Sequence, residues 1–267
     1  MSDAATIALL QLASPALPIG GFSYSTGLEW GVESGQVRDE PGAREWIADA
    51  LGLALASFEG PLMREAMRAA AGLPEPAALD AIAALNAEAI AARETQELRL
   101  ESGQMGYSLG RWLAAVCPDP AVDAALAARL ADPHDGGGGH PRAAAHPGTQ
   151  PGVRRAGSGD ARTSAGTGAL ALPVAWAIAA VRLGLSERDA LIALFWSFAE
   201  NQAMVLMKAM PMGQIAAQRL LRGLTPDIVR AVDRAGALAR EDWSSAAPGL
   251  AIASARHETQ YSRLFRS

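Results

Sequence analysis

Between Leu191 and Met210 the chain leaves almost no polar face on a helix. Leu191, Phe195, Phe198, Gln202, Val205 and Ala209 recur at helical spacing, and Ile192, Trp196, Ala199, Ala203, Leu206 and Met210 form a second row beside them. Only Ser197, Asn201, Met204 and Lys208 make a narrow, mostly polar strip. A helix apolar over so much of its circumference has to be surrounded by other elements, so this segment is predicted to be the central helix of a packed protein. Ser186, with Asp189 three residues on, supplies an approximate capping box at its start, and Pro211 ends it.

The rest of the sequence supplies helices to surround it. Half of the 267 residues are hydrophobic, aromatic residues are only 5%, and alanine and leucine dominate, without any clean alternation of apolar and polar positions. That composition predicts an all-α fold. Helical spacing is legible at Ile7 to Leu12, Ala43 to Phe58, Leu79 to Arg93, Leu172 to Leu183 and Gln214 to Leu221. Pro61 suits the first turn of a further helix, and Thr225-Pro226 reads as an N-cap followed by proline, opening another. Pro18, Gly20 and Gly21 force a turn, after which a helix beginning at Ser23 or Ser25 carries Glu29 and Glu33 one turn apart, a pattern expected of a solvated face. Arg93 and Glu97 have the spacing of an exposed ion pair, and Gly103 and Gly106 weaken the case for one unbroken helix around them.

Asp132 to Gly168 is different. Glycine, proline, alanine, arginine and serine crowd together, Gly136 to Gly139 stand in a row, and Val153 is the one large aliphatic residue. Such a segment buries too little to offset the entropy of ordering, which predicts a disordered linker or an inserted surface loop. That segment either separates two helical domains or is inserted into one, which would make 1–267 a single helical bundle.

Several functions are disfavoured. The formal charge is -5, from 28 acidic and 23 basic residues, without the basic surplus that phosphate-backbone binding needs. The Ala169 to Val181 run is too short for a membrane span, and the first residues lack a basic region ahead of an apolar one, so a cytoplasmic location is expected. A single cysteine, Cys117, allows neither an internal disulfide nor a thiol-based zinc site. No phosphate-cradling Gly-x-x-x-x-Gly-Lys-[Ser/Thr] stretch, His-Glu-x-x-His or Gly-x-Ser-x-Gly occurs. Two chemical alternatives stay open: a helical hydrolase using His257, and a nickel store built on His134, His140 and His146. The polar, basic ending from Arg256 to Ser267 nevertheless carries Tyr261, Leu264 and Phe265, which suits burial in a partner or folding back onto the chain itself.

Four stretches add a resemblance: Ser14 to Glu29 (SPALPIGGFSYSTGLE), Arg93 to Arg99 (RETQELR), Glu200-Asn201-Gln202 through Lys208-Ala209-Met210-Pro211-Met212-Gly213-Gln214, and His257 to Ser267 (HETQYSRLFRS). In order and spacing they resemble the UreF family of urease accessory proteins over nearly the whole chain, the segment from Asp132 to Gly168 excepted. The resemblance implies an all-helical bundle and favours reading that segment as an insertion. It further implies a dimerising adaptor without turnover of its own, bridging UreD (UreH in some organisms) and the GTPase UreG while nickel enters the urease apoprotein. Nickel and GTP would be handled by the partners, with no intrinsic cofactor or metal. On the same basis Arg256, His257, Tyr261, Arg263 and Phe265, in a docking tail over 256–267, are assigned to the UreD side. Tyr24, Glu29, Lys208 and Gln214 are assigned to the UreG side.

Overall fold

The computed structural model describes residues 2–131 and 169–267, and among them every regular element is helical. The expectations for Asp132 to Gly168, including those for the loop histidines, concern residues outside the described ones. The helices are α1 (Asp3–Leu12), α2 (Leu28–Glu33), α3 (Glu40–Ala50), α4 (Gly60–Ala70), α5 (Pro76–Ala91), α6 (Gln96–Val116), α7 (Pro120–Leu130), α8 (Leu172–Arg182), α9 (Glu187–Ala209), α10 (Gln214–Ala237) and α11 (Pro248–His257).

The apolar double row lies where its pattern requires. Helix α9 forms a hairpin with α10 and also meets α1, α2, α3, α4 and α8. Leu191, Phe195, Ala199, Ala203, Val205 and Leu206 are buried along it. Its length and composition would allow it to cross a membrane, but its apolar surface is largely covered by these neighbouring helices. At its start the Ser186 hydroxyl accepts the Asp189 amide at 3.1 Å and donates to the Asp189 carboxylate at 2.7 Å. The predicted cap is therefore present, although the aspartate bonds to the hydroxyl where a capping-box glutamate would reach the N-cap amide.

One proline reading is corrected by packing and another holds. Pro226 does not open a helix: it lies inside α10, which runs unbroken from Gln214 to Ala237. The buried row Ala217, Leu220, Leu221, Leu224, Ile228, Ala231 and Val232 continues on both sides of it. Burial of that row outweighs the local cost of an interior proline, about 3 kcal/mol. Pro61 does stand in the first turn of α4, but no break precedes it: α3 passes through a π-helical stretch, Leu51–Glu59, directly into α4. The wider turn is held in part from outside, since the Ser57 carbonyl accepts the Ser244 amide at 3.0 Å.

Helix α6 is one unbroken element despite Gly103 and Gly106. At Gly106 the reason is close approach: a Cβ there would stand 2.0 Å from the Leu170 carbonyl oxygen. The chain re-entering at Ala169 crosses α6 at that point, and Asn86 fixes the crossing. Its amide donates to the Ala169 carbonyl at 3.2 Å and its carbonyl accepts the Ala171 amide at 2.7 Å. The expected ion pair between Arg93 and Glu97 is not formed, because α6 begins only at Gln96, behind the N-cap Thr95. Arg93 turns inward to Glu59, 2.7 Å away. Burial opposes its charge and the Glu59 carboxylate outweighs that effect, holding the guanidinium protonated.

Replacing Gly106 by alanine is expected to cost about 3 kcal/mol, because a backbone carbonyl cannot swing aside as a side chain can. The check is a thermal melt, with a midpoint lowered by roughly 8 °C. Gly103→Ala, where a Cβ meets nothing within 4 Å, serves as the control that should hold its midpoint or gain slightly.

Candidate partner-docking site

The segment from Ser14 to Glu29 forms a compact platform. Gly20 is left-handed, a single 3-10 turn follows at Gly21–Ser23, and Gly27 takes φ +80° immediately before α2. An added Cβ at Gly27 would press on Ala253 and the Ser254 amide at 3.1 and 3.2 Å. Glycine thus supplies both the backbone conformation and the close seat for α11 on α2. Glu29 then falls in the first turn of α2 with only 5% of its surface exposed. The expectation that Glu29 and Glu33 form a solvated face is corrected at Glu29, which is buried beneath the returning end of the chain.

That end closes onto the platform through a small set of polar bonds. The Leu264 amide donates to Glu29 Oε1 at 2.6 Å, and the Phe265 amide to Glu29 Oε2 at 3.0 Å. His257 Nε2 lies 3.0 Å from the same Glu29 Oε2, and its Nδ1 lies 2.7 Å from Glu97 Oε2. Arg263 reaches the other Glu97 oxygen at 2.6 Å. Beyond them the Arg266 amide donates to the Ser23 carbonyl, and the Ser25 amide to the Ser267 carbonyl, each at 2.8 Å. The Ser267 hydroxyl donates to Glu101 at 2.5 Å, and Thr26 donates to the other Glu101 oxygen at 2.9 Å. Gln260 donates to Glu33. Thr95, the N-cap of α6, shares a 2.7 Å hydrogen bond with Ser254 of α11. We call this arrangement the clasp.

The residues assigned to partner contacts separate into two sets. His257 and Phe265 face inward, at 0% and 5% exposure, with the Lys208 ammonium 5.2 Å from the Phe265 ring centre. Arg256, Tyr261, Arg263 and Leu264 remain on the surface, and Tyr261 touches almost nothing of its own chain. Tyr24 is buried, its hydroxyl donating to Gln104 and its carbonyl accepting from Asn201 at 2.9 Å. Burial raises its phenol above the ordinary range, an effect that Arg266 partly offsets. Lys208 and Gln214 are exposed, near the turn between α9 and α10, next to the exposed Ile215. Of the residues assigned to partners, the inward ones can act only by shaping the surface, whereas the outward ones are free to touch another protein.

Sequence reasoning missed Glu97, Glu101, Ser25 and Ser267 as parts of the site. Glu97 and Glu101 lie one helical turn apart, as Glu29 and Glu33 do, and the two pairs face the same returning strand. His257, considered as a hydrolytic base, has both ring nitrogens occupied and no exposed atom. Among the described residues, no group of three or more histidine, cysteine, aspartate or glutamate side chains is placed to hold a metal.

The model of the family described as UreF matches residues 37–225, more than half of the chain. The chain belongs to the UreF family. It is similar to the urease accessory protein UreF of Ectopseudomonas mendocina, 44% identical over 97% of this chain and 98% of the relative. The UreF of Azoarcus sp. is 43% identical, covering 98% and 95%, and that of Pseudomonas aeruginosa 45%, covering 97% and 98%. Because these alignments take in nearly the whole chain while the family model spans 37–225, the clasp joins regions on both sides of the family core in this UreF-family protein.

Glu101 gives the site a testable energetic signature. Burial pushes its carboxyl above the usual range, against the hydrogen bonds from Ser267 and Thr26 and the charge of Arg93. A carboxyl that holds its proton more tightly when folded favours the fold at low pH, and that contribution is lost as pH rises through the carboxylate range. Glu101→Gln, which keeps the shape and an acceptor, is therefore expected to be about 1 kcal/mol more stable at neutral pH. The gain should shrink as the pH is lowered towards the carboxylate range, which denaturant titrations at several pH values would check.

Proposed function

We propose that this protein acts as a non-catalytic adaptor in urease maturation, docking UreD (UreH) through its C-terminal end and UreG through the adjoining surface at the turn between α9 and α10, and gating nickel delivery into the urease apoprotein. The observation that carries the reading is the two-sided tail. Its inner side is fixed by His257, Phe265 and three backbone amides, while Tyr261 at full exposure and Leu264 at 66% are held outward, uncovered by the described residues. Large side chains presented from a rigid backbone lose little entropy when a partner covers them, the property expected of interface anchors. Arg256 and Arg263 flank them as rim charges.

The names of the relatives support a role alongside urease. For UreG, the exposed pair Lys208 and Gln214 offers the direct contact, and Tyr24 and Glu29 act through the shape of the platform. An adaptor of this kind shifts a GTPase between conformations only as far as its affinities for the two states differ. Nickel is the cargo and GTP the partner's substrate. The protein works in the cytoplasm, as a dimer within the complex, and the hydrolase reading is disfavoured by the double engagement of His257.

The test is capture of partners from cells expressing a urease operon. Tyr261→Ala combined with Leu264→Ala is expected to lower UreD recovery at least about tenfold, the scale of an interface anchor, with an unchanged melting midpoint and reduced urease activation. Truncation before Arg256 should abolish the UreD contact. Full UreD recovery with either variant would remove the tail from the docking surface.

A further inference from the structure

His257 sits where its charge has to be matched. It is fully buried, yet one ring nitrogen faces Glu29 of α2 and the other faces Glu97 of α6, at 3.0 and 2.7 Å. A neutral imidazole has one N–H and one lone pair, so it can bond one of these carboxylates and must turn a lone pair towards the other. The imidazolium donates to both. The surrounding charges agree with that form. Glu97 is shared with Arg263, while among the described residues no other cationic side chain is bonded to Glu29, which is otherwise met by the Leu264 and Phe265 amides. Glu258 accepts the Glu97 amide, Glu33 is engaged by the neutral Gln260, and Lys208 of α9 lies over Phe265. Two carboxylates are thus balanced by two cations when His257 is charged, and one negative charge is left in excess in a buried place when it is not.

We propose that His257 is a proton-dependent positioning residue: in its doubly protonated form it draws Glu29 and Glu97 together beneath the tail, and loss of that proton loosens the strand that holds Tyr261 and Leu264 outward. Because the ring carries the proton that completes the charge balance, presentation of the tail depends on the protonation state of this one side chain. The consequence for partner binding rests on the docking reading above, while the release of the strand does not.

The experiment uses the full chain, labelled with nitrogen-15. The ring nitrogens of His257 report its protonation by NMR, and hydrogen exchange reports protection of the Leu264 and Phe265 amides, corrected for the intrinsic dependence of exchange on pH. As the ring loses its proton, protection of both amides is expected to fall by about tenfold or more, while core amides of α9 keep theirs. Glu97→Gln supplies the discriminating variant, because its side-chain amide can donate to the unprotonated ring nitrogen, and it should retain protection after the ring has lost its proton. Protection that is unchanged when the ring deprotonates overturns the proposal, as does a ring that stays protonated wherever the protein remains folded. A Glu97→Gln variant with the wild-type pH profile overturns it too. A parallel capture assay separates the two readings: if protection falls as the ring deprotonates and UreD recovery does not, the proton-dependent clasp stands and the docking role of the tail fails.

Discussion

A carboxylate buried beneath a strand of backbone is costly unless every lone pair is met, and Glu29 is met from residues more than two hundred positions away. Two consecutive amides and a histidine converge on it. Removing any one leaves a buried charge short of a partner, whereas together they make a charge-assisted network stronger than neutral bonds of the same number. With Glu29 on α2, the segment from Leu264 to Ser267 sets two consecutive amides on the carboxylate and its Ser267 carbonyl on the Ser25 amide.

Two helices of the bundle hold that platform. Helix α9 supplies the floor, with Asn201 bonded to the Tyr24 carbonyl and Lys208 over Phe265. Helix α6 supplies the wall, with Glu97 and Glu101 on successive turns facing the tail. The position of α6 is in turn set by the crossing at Gly106, where the chain returning at Leu170 runs against its backbone. A fault at that crossing would displace the wall that carries Glu97 and Glu101, which links a packing detail to the geometry of the clasp.

Much of the fold was legible because helical spacing is a local property. The central helix and its N-cap follow from Leu191 to Met210 and from Ser186 with Asp189. Local rules failed where distant contacts decide the outcome. Pro226 reads as a helix start, yet the row of leucines and alanines on either side is buried against α9 and the π-helical stretch and carries the helix through. Arg93 and Glu97 have the spacing of a surface pair, yet Thr95 caps α6 between them and Arg93 turns to Glu59. The candidate site was legible only in part for the same reason. The tail's composition suits burial, in a partner or on the chain itself, and the family motifs fall on the platform, but nothing in the order of residues says that Glu29 and His257 meet. That information resides in the packing of α11 on α2, where Gly27 permits a contact that a side chain would block.

The central claim is that Glu29 organises the tail, and hydrogen exchange of residues 258–267 in Glu29→Gln tests it most directly. The substitution keeps the size of the side chain and removes its charge and one acceptor. The account predicts that the Leu264 and Phe265 amides lose at least about tenfold in protection while the helices keep theirs, since the clasp opens locally without unfolding the bundle. Tail amides as well protected in the variant as in the parent chain would contradict it.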